Sequence, residues 1–180
     1  MKPSLDNIEA FSIPLLEHPL KWKFEEGEGS GVSPEFEDQI IPLNEEGTHF
    51  LWKFFNSQKI FRDKFIKPEY FTKREEYFSG DKSEEEVKKW LYNRGIPFDN
   101  KVFWVPQPKW GFVLTWKMVI KFSHELFFGT NELIWDRTLN WVLTYDHNEA
   151  FYFAKDRIFN TEIEQQEKET IKRIIDEAGE

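Results

Sequence analysis

The 180-residue chain carries 33 Asp and Glu against 24 Lys and Arg, a formal net charge of −9, and it has no cysteine. That charge repels phosphate backbones and no Lys/Arg run forms a basic stripe, so nucleic acid is excluded as an expected direct partner. The missing thiols exclude disulfide frameworks, thiolate zinc sites, iron–sulfur clusters and a cysteine nucleophile.

A chain of this length buries about 70% of its unfolded surface on folding, so one domain over 1–180 is expected to stand without staples. Pro3, Asp6, Glu9 and Pro14 interrupt the stretch where an export signal needs an apolar run. No apolar stretch approaches the roughly 20 residues that span a bilayer, so no membrane association is expected.

In chain order, Leu20, Trp22 and Phe24 alternate with Lys21 and Lys23, which predicts a half-buried strand over 19–24. The glycine- and acid-rich 25–31 predicts a loop. Ser33-Pro34 predicts a helical turn over 34–38, followed by an extended run at 39–43. Asn44, followed by Glu45 and Glu46, predicts an N-cap for a helix ending near Asn56. Ile60, Phe61 and Phe65 suggest a second helix over 58–66, and Thr72 with Glu75 suggests a capped helix reaching Phe78. The clearest local signal is 83–95. Ser83 and Glu86 make a capping box, Val87, Trp90 and Leu91 share a face, and Gly95 closes the segment.

The second half reads as short strands at 101–106, 111–116, 125–128, 132–136, 138–145 and 150–154, with one short helix between Trp116 and His124 and a terminal helix over 162–177. Helices gathered in the first half and a strand meander in the second predict an α+β domain with an antiparallel sheet.

Catalytic signals are weak. No G-x-S-x-G, P-loop or G-x-G-x-x-G occurs, and Ser123-His124, as sequence neighbours, would direct their side chains apart. No catalytic residue, metal or cofactor is therefore expected. His124, Asp136, Asp146, His147 and Glu149 form a candidate polar cluster if the fold brings their strands together. For Asp146-His147-Asn148-Glu149 the simpler expectation is a four-residue hairpin loop on a type I turn, which uses Asp and Asn for their backbone bonding.

Trp22-x-Phe24, Val32 to Glu35, Gln39 to Leu43, Leu51-Trp52 and Thr115-Trp116 resemble, in order and spacing, a bacterial family built on a domain of unknown function. That resemblance implies a cytoplasmic bacterial protein and carries no catalytic residue. As a class, bacterial toxin-immunity proteins are similar in being small, acidic, cysteine-free α+β domains that meet a basic toxin by charge.

Two functional expectations follow. The first is a non-enzymatic acidic module that binds a protein partner, of basic character in the immunity-type case, steered by Glu25, Glu26 and Glu28 together with Glu35, Glu37 and Asp38. The second is a binder of a small molecule or carbohydrate, or a hydrolase acting on one, with Trp104, Trp110 and Trp135 lining an aromatic cleft. Burial of these tryptophans discriminates the two. Oligomeric state is not legible from the residues.

Overall fold

The computed structural model describes residues 1–27, 31–62, 65–127 and 131–159, together with 162, 165, 166 and 169. The expected terminal helix falls outside these residues apart from those isolated positions.

Nine strands are described, β1 (Ile40–Leu43), β2 (Phe61–Arg62), β3 (Phe65–Ile66), β4 (Phe71–Phe78), β5 (Lys101–Gln107), β6 (Trp110–Thr115), β7 (Glu132–Asp136), β8 (Trp141–Asp146) and β9 (Ala150–Arg157). The helices among them are α1 (Glu45–Ser57), α2 (Glu84–Tyr92), α3 (Trp116–Lys121) and α4 (Ser123–Leu126). Seven strands form one sheet in the order β1-β6-β5-β7-β8-β9-β4. Every neighbouring pair is antiparallel, while β2 and β3 form a separate hairpin. The fold is α+β, as the residue patterns predict.

Apart from the edge strand β4, most of whose residues are exposed, the sheet is buried on both faces, which explains why β5 to β9 read as nearly continuous apolar runs. Val102, Trp104, Phe112, Leu114, Ile134, Leu143 and Phe153 point to one side, where they pack on α2, α3, α4 and the short 3-10 turns at Lys21–Phe24 and Pro34–Gln39. Phe103, Val105, Val113, Trp135 and Val142 point to the other, under Ile8, Leu51, Phe55 and Tyr70. Adjacent residues of one strand thus serve different cores.

Local chemistry fixes the helices. Asn44 Oδ1 accepts from Gly47 N at 2.9 Å at the start of α1. At α2, Ser83 Oγ accepts from Glu86 N at 3.3 Å while Glu86 Oε2 accepts from Ser83 N at 2.9 Å, completing the capping box. Gly95 follows with φ 70°, a left-handed turn that glycine adopts without steric cost.

Four expected elements differ. Residues 21–24 form a 3-10 turn in which Phe24 is buried as expected but Trp22 is exposed and Lys23 buried, the reverse of the alternation at those two positions. The helix expected over 58–66 is replaced by the β2–β3 hairpin, entered through Lys59 at φ 50°. The capped helix expected from Thr72 is the edge strand β4, and Thr72 Oγ1 instead reaches Asp156 O across the sheet. The strand expected over 125–128 gives way to α4 at Glu125 and Leu126, because Leu126 N donates to Phe122 O and Phe127 N to Ser123 O. The meander is therefore interrupted by two helices, and the sheet draws β1 and β4 from the first half of the chain.

Candidate polar cavity at the β8–β9 turn

The β8–β9 connection is tighter than the four-residue loop expected. Asp146 pairs directly with Ala150, leaving three loop residues, and Glu149 takes φ 62°. This is a type I turn closed by a left-handed residue. Asp146 Oδ1 accepts from Asn148 N at 2.9 Å and Asp146 O accepts from Glu149 N at 2.9 Å, so turn chemistry accounts for Asp146 and Asn148. His147 is exposed and leans on Asn131, whose Oδ1 accepts from the His147 backbone N–H at 3.0 Å.

Glu149 faces the opposite way. Its carbonyl accepts from both Ser79 N and Ser79 Oγ at 2.8 Å, which ties the hairpin to the loop before α2. Its carboxylate lies against Gly80, where an added Cβ would overlap a carboxylate oxygen.

A cavity of about 220 Å³ opens beside this carboxylate, between the start of α2, α4 and the hairpin. Phe127, Tyr145 and Phe151 wall it, with ring centroids 5.7 Å apart for Phe127–Tyr145 and 4.8 Å for each of the other two pairs. Ser79, Lys82, Glu84, His124 and Glu149 supply its polar rim, and Ser123 reaches it from α4. Ser123 is 2% exposed, and its hydroxyl has no hydrogen-bond partner among the described residues. Its sequence neighbour His124 is thus not hydrogen-bonded to it.

The titratable groups around the cavity have identifiable perturbations. Burial raises the Tyr145 phenol above its ordinary value, partly opposed by the Ser79 hydroxyl, so it remains a neutral O–H at pH 7. A hydrogen bond from Lys88 lowers Glu84. Lys82 is raised by its bond to Asp81, at 2.9 Å.

Of the five polar cluster residues, His124 and Glu149 thus meet at one cavity. Asp136 does not. It lies four positions along β7 from Glu132, the residue opposite Tyr145, roughly 13 Å away at strand rise. There it is buried, accepting from Trp141 Nε1 at 2.8 Å, Asn100 Nδ2 at 3.1 Å and Thr138 N at 2.9 Å. That network closes the β7–β8 turn. Among the described residues, no group of three His, Asp or Glu side chains is placed to hold a metal ion.

The three tryptophans of the expected cleft do not share a surface. Trp104 and Trp135 are fully buried on opposite faces of the sheet, and Trp110 is half-buried at the β5–β6 turn. Trp104 stacks on Phe112 and donates to Glu132 Oε2 at 2.7 Å, beside the buried Lys23 ammonium. Trp135 packs against Phe54, Phe55 and Phe103. Both rings are core. The aromatic wall of a cavity comes instead from Phe127, Tyr145 and Phe151, which meet only because α4 stands where a strand was expected.

The expected acidic surface is partly neutralised. Glu26 pairs with Lys121 Nζ at 2.6 Å, and that ammonium also lies 4.7 Å above the Phe36 ring. Glu35, Glu37 and Asp38 are exposed along the adjoining 3-10 turn, Glu25 is half-buried, and Glu28 lies outside the described residues.

These features define an α+β protein with a two-sided antiparallel sheet and a polar, aromatic-walled cavity at one end of it. No family model, curated protein or solved structure matches the chain.

Proposed function

We propose that this protein binds a small organic molecule in the cavity beside the β8–β9 turn. One observation carries the reading: the Ser123 hydroxyl, buried at the cavity, is left without a partner among the described residues, and buried hydroxyls in folded proteins are paired in the large majority of cases. A ligand would supply the missing bond while the three rings cover its apolar part, the usual division of labour in a small-molecule site. Ligand-observed NMR against small polar aromatic fragments tests this. Binders are expected whose signals vanish when Ser123→Leu fills the site. A library without binders, or binders indifferent to that substitution and to Tyr145→Ala, overturns the reading.

A second reading, an acidic module that docks a basic protein, of which an immunity-type inhibitor is one instance, has its own support. Lys121 joins the acids of 25–26 to those of 35–38, so both groups border one surface. Trp22, 56% exposed, lies on the same 3-10 turn as the buried Phe24 that packs on Phe122, and supplies an apolar anchor next to the charge. Affinity capture with wild type and with Glu37→Lys/Asp38→Lys separates the two readings. A basic partner lost on charge reversal supports docking, and one retained unchanged overturns it.

A further inference from the structure

We infer that the cavity takes a small organic cation, an amine whose ammonium group meets the Glu149 carboxylate while its apolar body lies against Tyr145 and Phe127; this deepens the ligand-binding reading and rests on it.

The charges at the rim are unequal in their commitments. Lys82 is held by Asp81 at 2.9 Å, and Glu84 is paired with Lys88 one turn along α2. Glu149 alone among the rim carboxylates has no ion pair with any described residue. Its backbone is held at φ 62°, in the left-handed region that a non-glycine residue rarely adopts. Two bonds from Ser79 keep it there. Gly80 provides the one side-chain-free position that lets the carboxylate sit where it does. The carboxylate is thus both placed and unspent.

The neighbouring rings favour the same sign of charge. An ammonium within about 6 Å of an aromatic face is attracted by the ring quadrupole, and three rings meet here with centroids no more than 5.7 Å apart. An anion would face Glu84 and Glu149 with Lys82 already engaged, and a neutral ligand would leave Glu149 unused. The volume of about 220 Å³ suits a compact amine rather than a polymer segment. Ser123 Oγ remains for a polar group on the ligand body.

Titration of the full chain with phenethylamine, phenethyl alcohol and 3-phenylpropionate, followed by protein NMR shifts at pH 7, tests the assignment. Phenethylamine is expected to bind and the carboxylate not to. Glu149→Gln and Gly80→Ala are each expected to weaken the amine at least tenfold without loss of the folded spectrum, Gly80 being exposed and so tolerant of folding. If the alcohol or the carboxylate binds as tightly as the amine, with shifts at Tyr145 and Ser123, the cation assignment is overturned while the ligand-binding reading stands. If none of the three binds, or the amine binds equally to both variants with no shift at these residues, the assignment falls. A fragment library that also yields no binder then removes the ligand-binding reading with it.

Discussion

Acidification from pH 7 to pH 4 should cost this fold about 3 kcal/mol through one side chain. His18 is 2% exposed, packed at 4.2 Å between ring centroids on Phe112, and burial pushes its pKa down from 6.5 to about 4. Its Nδ1 accepts from Leu20 N at 3.1 Å, which leaves the proton on Nε2, an atom without a partner among the described residues. Charging the ring would strand an imidazolium against Phe112. The folded state therefore binds this proton more weakly than the unfolded chain does. The stabilisation is complete above pH 6.5 and is lost as pH falls through the folded pKa near 4. The fall from 6.5 to about 4 corresponds to about 3 kcal/mol at about 1.4 kcal/mol per pH unit. The slope should approach 1.4 kcal/mol per pH unit in the middle of that window. Urea denaturation at half-unit steps measures it, with His18→Asn as the reference. Asparagine can still accept from Leu20 N but cannot titrate. The lowered carboxylates, Asp81, Glu84, Glu86 and Asp156, lose their contributions only at more acidic pH and do so in both proteins. Parallel stability curves for wild type and His18→Asn between pH 7 and pH 4.5 would refute the assignment.

Trp104→Phe removes the indole donor from the buried Glu132 carboxylate and should destabilise by about 1–3 kcal/mol; a thermal shift equivalent to less than half a kcal/mol would mean that the acid is satisfied without the indole. Ser83→Ala opens the α2 capping box and should cost about 1 kcal/mol, whereas Ser83→Gly should cost only a few tenths, both read by chemical denaturation. Gly47→Ala offers a test of sign. Helix propensity favours alanine by roughly 0.5–1 kcal/mol, but its Cβ would lie 2.8 Å from the Phe11 Cβ, so net destabilisation of about 1–3 kcal/mol is expected from overpacking. A stabilised Gly47→Ala protein would show that the N-terminal segment yields freely.

What the residues reveal about the fold depends on whether the deciding interactions are local. α1 and α2 are legible because Asn44, Ser83 and Glu86 bond within their own first turns. β5 to β9 are legible because each carries enough branched and aromatic residues to fill one core or both. β4 is not. Its Thr72 and Glu75 mimic a capping box, yet its state is set by β9, some eighty positions away, where Lys73 pairs with Lys155 and Tyr77 with Phe151. A charged edge strand has no apolar period to announce it. Residues 21–24 fail differently, since their alternation is real but a 3-10 turn breaks it: Phe24 enters the aromatic cluster of Trp104, Phe112 and Phe122, the Lys23 ammonium follows it inward to the Glu125 carbonyl, and Trp22 is left exposed. At the candidate site, the turn at 146–149 is readable from Asp and Asn. The meeting of Glu149 with His124 is not, because it depends on α4 replacing an expected strand and on Ser79 anchoring the hairpin from another part of the chain.

The strand order bears on how the chain is made. Both edge strands come from the first half, β1 against β6 and β4 against β9, while the pairs β5–β6, β7–β8 and β8–β9 are each near in sequence. During synthesis at about 5–20 residues per second, β1 and β4 emerge with no strand to pair with until β6 and β9 follow. The later half can assemble its hairpins by short loop closures, but the earlier half must wait to be recruited onto both borders of the sheet. Nascent chains halted before residue 101 should accordingly remain open to protease along β1 and β4, with protection of β1 arriving after β6 has cleared the ribosome and that of β4 only after β9 has.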